Sequence, residues 1–201
     1  MTVTSLCLGI DVSPRRLGWA LARLEDGAPV ACGVEAIDLP DHGWDRERVV
    51  RAMRRVQDAG RAGDAETRWY FDAEVHYVAI ERPALPPKSG TNAAFNAGRA
   101  YQEAISAVRR RWPWAVVDEM QPGEWRRLAG LAGNASKYVV LQQAMESGFS
   151  KCLVGMNLAL QQDAADAACI ALAGVERNRQ TLGVGADLAS LREARARALE
   201  G

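Results

Sequence analysis

The chain carries no excess of either charge. Its 25 lysines and arginines face 25 aspartates and glutamates, so no global field marks a polyanionic partner, and a nucleic acid would have to be met by local clusters. Only two histidines are present, and the four cysteines (Cys7, Cys32, Cys152, Cys169) stand far apart, with no Cys-x-x-Cys pair and no histidine at zinc spacing. Most of the cysteines sit in apolar runs, which points to buried free thiols and a cytoplasmic location. No apolar run approaches the roughly 20 residues of a membrane span, and the first residues lack the basic-then-apolar order of a secretory signal. No membrane partner is therefore expected. Repeats and low-complexity tracts are also missing. What remains is 201 residues, 48% hydrophobic and 25% charged, enough for one domain with a full core and tight for two.

Taken in order, the apolar run Leu6-Cys7-Leu8-Gly9-Ile10 ends in Asp11 and predicts a buried central strand with a carboxylate at its end. Ser13-Pro14-Arg15-Arg16 makes a turn into a second strand over 17–22, and Glu25-Asp26-Gly27 turns that into a third near 30–37. Connections this short predict an antiparallel meander. A helical pattern over 44–59 and a polar loop over 61–74 follow. Val75-His76-Tyr77-Val78-Ala79-Ile80 is the next strand, and it too ends in an acid, Glu81. The proline-rich stretch 82–90 behind it can only be loop. Then come a helix over 92–111, a short strand over 115–117, and a helix opened by Pro122 and broken at Gly130. Asn134-Ala135-Ser136-Lys137 caps a further helix reaching about 147–148. A further helical pattern starts near Gln162, and Gly183-Val184-Gly185 separates it from a charged closing helix. The expected division is one main α/β domain over 1–178 and a C-terminal helical extension over 179–201.

The chemistry gathers on acids. Asp163 and Asp166 in Gln162-Asp163-Ala164-Ala165-Asp166-Ala167 are three apart and share one helical face, continued by Ile170. Carboxylates on an apolar stripe are costly to bury unless cations or donors hold them; a competing reading is a first helical turn using Asp to offset its dipole. Asp11 and Glu81 lie at strand ends, where ligands of α/β sheets gather. If the two strands are neighbours and the helix crosses that edge, four carboxylates meet. They cannot all be ionised without counter-charge, and Mg²⁺ or a pair of such ions is the simplest one. Two ions suit in-line displacement at a phosphodiester.

These elements in this order, with Arg15 and Gly18-Trp19 after Gly9-Ile10-Asp11, and Ala79-Ile80-Glu81 before Asp163-Ala164-Ala165-Asp166-Ala167, resemble the RuvC-type Holliday-junction resolvases of the ribonuclease H-like superfamily. The resemblance spans residues 6 to about 173. It implies an α/β ribonuclease H-like fold: a mixed five-stranded sheet, meander plus parallel strands, flanked by helices. It further implies a structure-selective endonuclease acting on four-way or related branched DNA in recombination and repair, with Mg²⁺ (or Mn²⁺), two ions per site, held by Asp11, Glu81, Asp163 and Asp166. Lys137 and Arg126 fall where that family places basic residues near the scissile phosphate, and Arg99 at a matching helix position, so Lys137 joins the catalytic set. Symmetric cutting of a four-way junction implies a homodimer. Three departures mark a divergent or phage-like member: Val12-Ser13 replaces Pro-Gly, the loop after Glu81 is proline-rich where an aromatic is usual, and the segment before Val75 is long.

Arg15, Arg16, Lys88, Arg99, Arg126 and Lys137 are the candidate DNA contacts, of the phosphate-positioning kind that carries no sequence information. The arginines at 46, 48, 51, 54 and 55 read as a solvated helix face. Trp19 reads as core, and Trp112, Trp114 and Trp125 as packing with stacking on bases as the alternative. Two other functions stay open. Actin-like phosphotransferases share the Gly-Ile-Asp start but need a second phosphate loop and a second domain. A catalytically inactive nucleic-acid-binding scaffold of the same fold would keep four acids that only repel one another.

Overall fold

The computed structural model describes residues 5–36, 74–83 and 91–182, and in them one mixed sheet has the order β3-β2-β1-β4-β5. β1 (Ser5–Val12), β2 (Arg16–Arg23) and β3 (Pro29–Ala36) form the antiparallel meander. β4 (Glu74–Glu81) and β5 (Val116–Met120) join parallel to β1, so the acid-ended strands β1 and β4 are direct neighbours. The expected fold class is the observed one.

Strand alternation sorts two cores. Leu6, Leu8 and Ile10 of β1 and Val78 and Ile80 of β4 face α1 (Thr91–Arg111), which buries Tyr101, Ala104, Ile105 and Val108 against them. Cys7 and, on β4, Tyr77 and Ala79 face the other way. That second face is covered by the long helix α5 (Leu158–Leu182), around which α2 (Pro122–Leu128), α3 (Lys137–Ala144) and α4 (Ser150–Leu153) pack. Leu8, Ile10 and Ile80 are fully buried, each contributing about 1.5–3 kcal/mol of transfer free energy.

α5 approaches the sheet at backbone distance. A Cβ on Gly9 would lie 2.2 Å from the Ala167 carbonyl oxygen, and one on Gly18 would lie 2.4 Å from that of Asp163. Ala164, Ala167, Ala168 and Ala171 complete the small-residue face. No side chain holds helix and sheet apart there, so residues on α5 are delivered directly over the strand ends.

Several boundaries differ from expectation. The third parallel-side strand runs to Met120 rather than stopping at 117, because its acids find donors on both faces: Asp118 accepts from the Tyr77 hydroxyl at 2.9 Å and Glu119 from that of Tyr101 at 2.5 Å. The helix begun at Lys137, by contrast, ends where expected: within the π-helical turn Met145–Phe149, Gly148 takes a left-handed φ of 96°, and a separate short helix, α4, follows. α5 starts at Leu158, four residues before the expected Gln162, with the Asn157 side chain accepting from the Leu160 N–H at 3.1 Å. It runs on to Leu182. The expected helix over 44–59, the loop over 61–73, most of the proline-rich loop and the closing helix lie outside the described residues. Among the described residues no helix is long and apolar enough to cross a membrane.

Candidate active site

Gly9 pairs with Ala79 and Ile10 with Ile80 in the parallel β1–β4 ladder, so Asp11 and Glu81 are the next residues out at the carboxyl ends, on the face that α5 covers. On α5, Asp163 and Asp166 are the sixth and ninth residues of a helix that begins at Leu158. They therefore lie beyond the first turn, and the reading of them as dipole-offsetting residues falls. The close contact at Gly18 holds the Asp163 backbone over β2.

Each acid feels the others. Burial among protein atoms, then the charges of Glu81, Asp166 and Asp163, push Asp11 well above the usual carboxylate range, against the pull of Lys137. Asp11 nevertheless keeps part of its surface open to solvent, so the full burial penalty does not apply to it. Asp166, only 6% exposed, is raised by burial, with the Lys137 hydrogen bond and the charges of Lys137 and Arg126 opposing. Glu81 is raised by burial as well, opposed first by a hydrogen bond from Trp125. The Trp125 Nε1–H donates to Glu81 Oε2 at 2.5 Å.

Two cations stand inside the cluster. The Lys137 ammonium donates to Asp166 Oδ2 at 2.8 Å and lies 3.8 Å from Asp163 Oδ1. Arg16 Nε reaches Asp163 Oδ2 at 2.8 Å. The second contact is an ion pair without hydrogen-bond alignment, since that buried oxygen has no hydrogen-bond partner. Burial alone would lower Lys137, but the hydrogen bond and charge of Asp166 and the charges of Asp11 and Asp163 outweigh it and raise it. Ser136 caps α3 by accepting from the Val139 N–H and so fixes where Lys137 begins.

A metal ion is the simplest counter-charge to expect from the sequence; Lys137 and Arg16, paired with Asp166 and Asp163, already supply part of it. Among the described residues, no three Asp, Glu, His or Cys side chains stand in an arrangement that holds a metal ion. The donors still fit one chemically. All are carboxylate oxygens, as hard divalent ions require, and Asp166 Oδ1 is buried with no partner, an acceptor costly to leave unused.

No protein-family model matches the sequence, and no curated protein sequence does. Solved structures do match. Thermus thermophilus RuvC in complex with a Holliday junction substrate has a TM-score of 0.60 at 18% identity, covering 88% of this chain and 96% of that one. A second Thermus thermophilus RuvC structure gives 0.58 at 20% identity over the same shares, 88% and 96%. The yeast mitochondrial Holliday junction resolvase Ydc2 gives 0.56 at 12% identity, covering 100% of this chain and 85% of that one. The chain has the RuvC fold.

Within this RuvC fold the remaining candidate residues fall in three places. Arg16 and Lys137 are inside the carboxylate cluster, and Arg126 borders it, half-buried, with its guanidinium 4.9 Å from the Trp125 ring and a hydrogen bond to the Gly133 carbonyl. Arg15 is exposed on the turn before β2. Arg99 is exposed on α1, on the opposite side of the sheet, where it lines a cleft of about 530 Å³ with Arg82, Phe95, Tyr101 and Gln121. Lys88 lies outside the described residues. Trp19 is core, as expected. The alternative role of Trp112, Trp114 and Trp125 as stacking platforms is corrected: Trp112 and Trp125 are buried, and half-buried Trp114 donates to the Val75 carbonyl. Sequence reasoning missed Trp125 as the donor to Glu81 and Arg16 as the partner of Asp163. An indole that follows a helix-opening Pro-Gly-Glu shortly after the Glu81 strand was the available signal for the first; nothing local signalled the second.

Proposed function

We propose that this protein is a metal-dependent endodeoxyribonuclease that hydrolyses phosphodiesters at four-way or related branched DNA, acting in recombination and repair. The observation that carries the reading is the set Asp11, Glu81, Asp163 and Asp166 gathered at the ends of two adjacent parallel strands under α5, with a lysine ammonium among them. The fold is that of a RuvC solved with a Holliday junction, which supports branched DNA as substrate.

The four carboxylates would hold Mg²⁺ or Mn²⁺, as two ions, and that pair would activate water and stabilise the leaving oxygen. The protein's own groups do the rest. Trp125 orients Glu81, as an outer partner does for a metal-ligating carboxylate. Arg16 orients Asp163. Lys137 brings a compact positive charge to the first turn of α3, whose free N–H groups favour an anion such as the DNA phosphate, and stabilises charge that develops there. Arg15, Arg99, Arg126 and Lys88 would contact phosphates and position the branches. Cutting both strands of a junction symmetrically calls for two sites, hence a homodimer with two-fold symmetry. The cytoplasm suits free thiols at Cys7, Cys32, Cys152 and Cys169.

The internal pairing of the acids by Lys137 and Arg16 favours a second reading, a branched-DNA-binding scaffold without catalysis. One experiment separates the two: purified protein with four-way, flap, single-stranded and linear duplex DNA, with and without Mg²⁺. Cleavage of the four-way or flap substrate only with Mg²⁺, lost in Asp166→Asn while junction binding survives, is the expected result. Binding without cleavage under every condition would leave the scaffold.

A further inference from the structure

The Lys137 ammonium sits between two carboxylates proposed to hold the ions, bonded to Asp166 at 2.8 Å and 3.8 Å from Asp163. A hard divalent ion binds carboxylate oxygen at about 2.0–2.6 Å, so an ion held by both these acids and the ammonium would claim the same space. Their charges also repel.

The position of Lys137 in the fold makes this contact conditional. It is the first residue of α3, at the positive end of the helix dipole, where a cation is disfavoured. The carboxylates are what hold it inward. Its side chain is 52% exposed while that of Asp166 is 8% exposed, so the lysine can swing outward on its flexible stem and the acid cannot follow. The chain has only three lysines, Lys88, Lys137 and Lys151; all its other cations are arginines, which hold planar forks rather than a mobile point charge.

We infer that Lys137 is a built-in counter-ion that competes with the divalent cation for Asp163 and Asp166, so that loading the site releases the ammonium toward the DNA side. This rests on the proposed metal site and adds a regulation to it: Lys137 holds the four acids together when the site is unloaded and becomes a free cation when it is loaded.

The test is a Mn²⁺ titration of the full chain without DNA, with free Mn²⁺ read by electron paramagnetic resonance. Lys137→Met keeps the stem and loses the charge; it should bind Mn²⁺ about tenfold more tightly than wild type, within the range of ordinary coupling between sites, although it should cleave more slowly. Lys137→Arg should stay within about threefold of wild type, since the charge that sets the competition is kept. Asp166→Asn should lose binding. A second readout uses the wild type alone: acetic anhydride labelling of Lys137, measured by mass spectrometry against Lys151, should rise on adding Mn²⁺. Equal or weaker Mn²⁺ binding by Lys137→Met, or unchanged labelling in a protein that binds Mn²⁺, would overturn the competition and leave the metal site standing. No Mn²⁺ binding by any variant would overturn the metal site and this inference with it.

Discussion

Replacing Asp11 with Asn should make the metal-free protein more stable while abolishing cleavage. Asp11 is raised by burial and then by Glu81, Asp166 and Asp163, with Lys137 opposing only in part. An acid whose folded pKa exceeds its unfolded value of about 3.9 costs nothing below that value. The cost grows as pH rises toward the folded pKa, by at most about 1.4 kcal/mol per pH unit. Asparagine has the shape of the acid and no such cost. Asp11 keeps some solvent contact, so the gain at pH 7.5 is set at about 1–3 kcal/mol, the scale of relieving one poorly satisfied buried polar group. For a chain of this length that is about 3–10 °C in Tm. The assay is thermal unfolding of both proteins in EDTA between pH 4.5 and 8. The Asp11→Asn advantage should be smallest at the acid end and widen with pH. Millimolar Mg²⁺ should then raise the wild type and leave the variant behind, since an ion that binds only the folded state stabilises it by mass action. A variant equal to or less stable than wild type at pH 7.5, with a gap that does not change with pH, would refute the crowding of like charge at the strand ends.

Three other outcomes follow from contacts described above. Gly18→Ala puts a methyl 2.4 Å from the Asp163 carbonyl oxygen, so it should destabilise by about 1–3 kcal/mol and lower cleavage by moving Asp163; a Tm unchanged in differential scanning calorimetry would argue against direct helix-on-strand contact. Trp125→Phe keeps most of a fully buried ring but removes the donor to Glu81; metal affinity or cleavage should drop about 10- to 100-fold, and wild-type values for both would deny Trp125 an orienting role. The Cys152 thiol is lowered to about 6, chiefly by its hydrogen bond with Cys32, whose own thiol that same bond raises. Iodoacetamide at pH 7 should therefore alkylate half-buried Cys152 first among the four thiols, and Cys32→Ala should slow that reaction; uniform labelling would count against the pair.

The sequence by itself determined which segments are strands, and that two of them end in acids, because apolar runs bounded by turn residues leave little choice. It also determined that Asp163 and Asp166 share a face, since that follows from helical geometry alone. The sequence pattern stops the strand Val116–Met120 short, because Asp118 and Glu119 resemble loop residues until two tyrosines from elsewhere in the chain supply hydroxyls. Whether the four acids meet is a matter of strand order, and no local pattern states that β1 lies beside β4. Closeness of the helix depended on Gly9 and Gly18, which in the sequence are merely small residues in strands; their lack of a side chain matters only once α5 rests on them. The charge balance was the least legible part. Arg16 and Asp163 are separated by most of the chain, as Glu81 is from Trp125 by 44 residues. Ion pairs and hydrogen bonds between such positions cost loop closure that only the cooperative burial of both cores repays, so the tertiary structure alone decides which cation neutralises which acid.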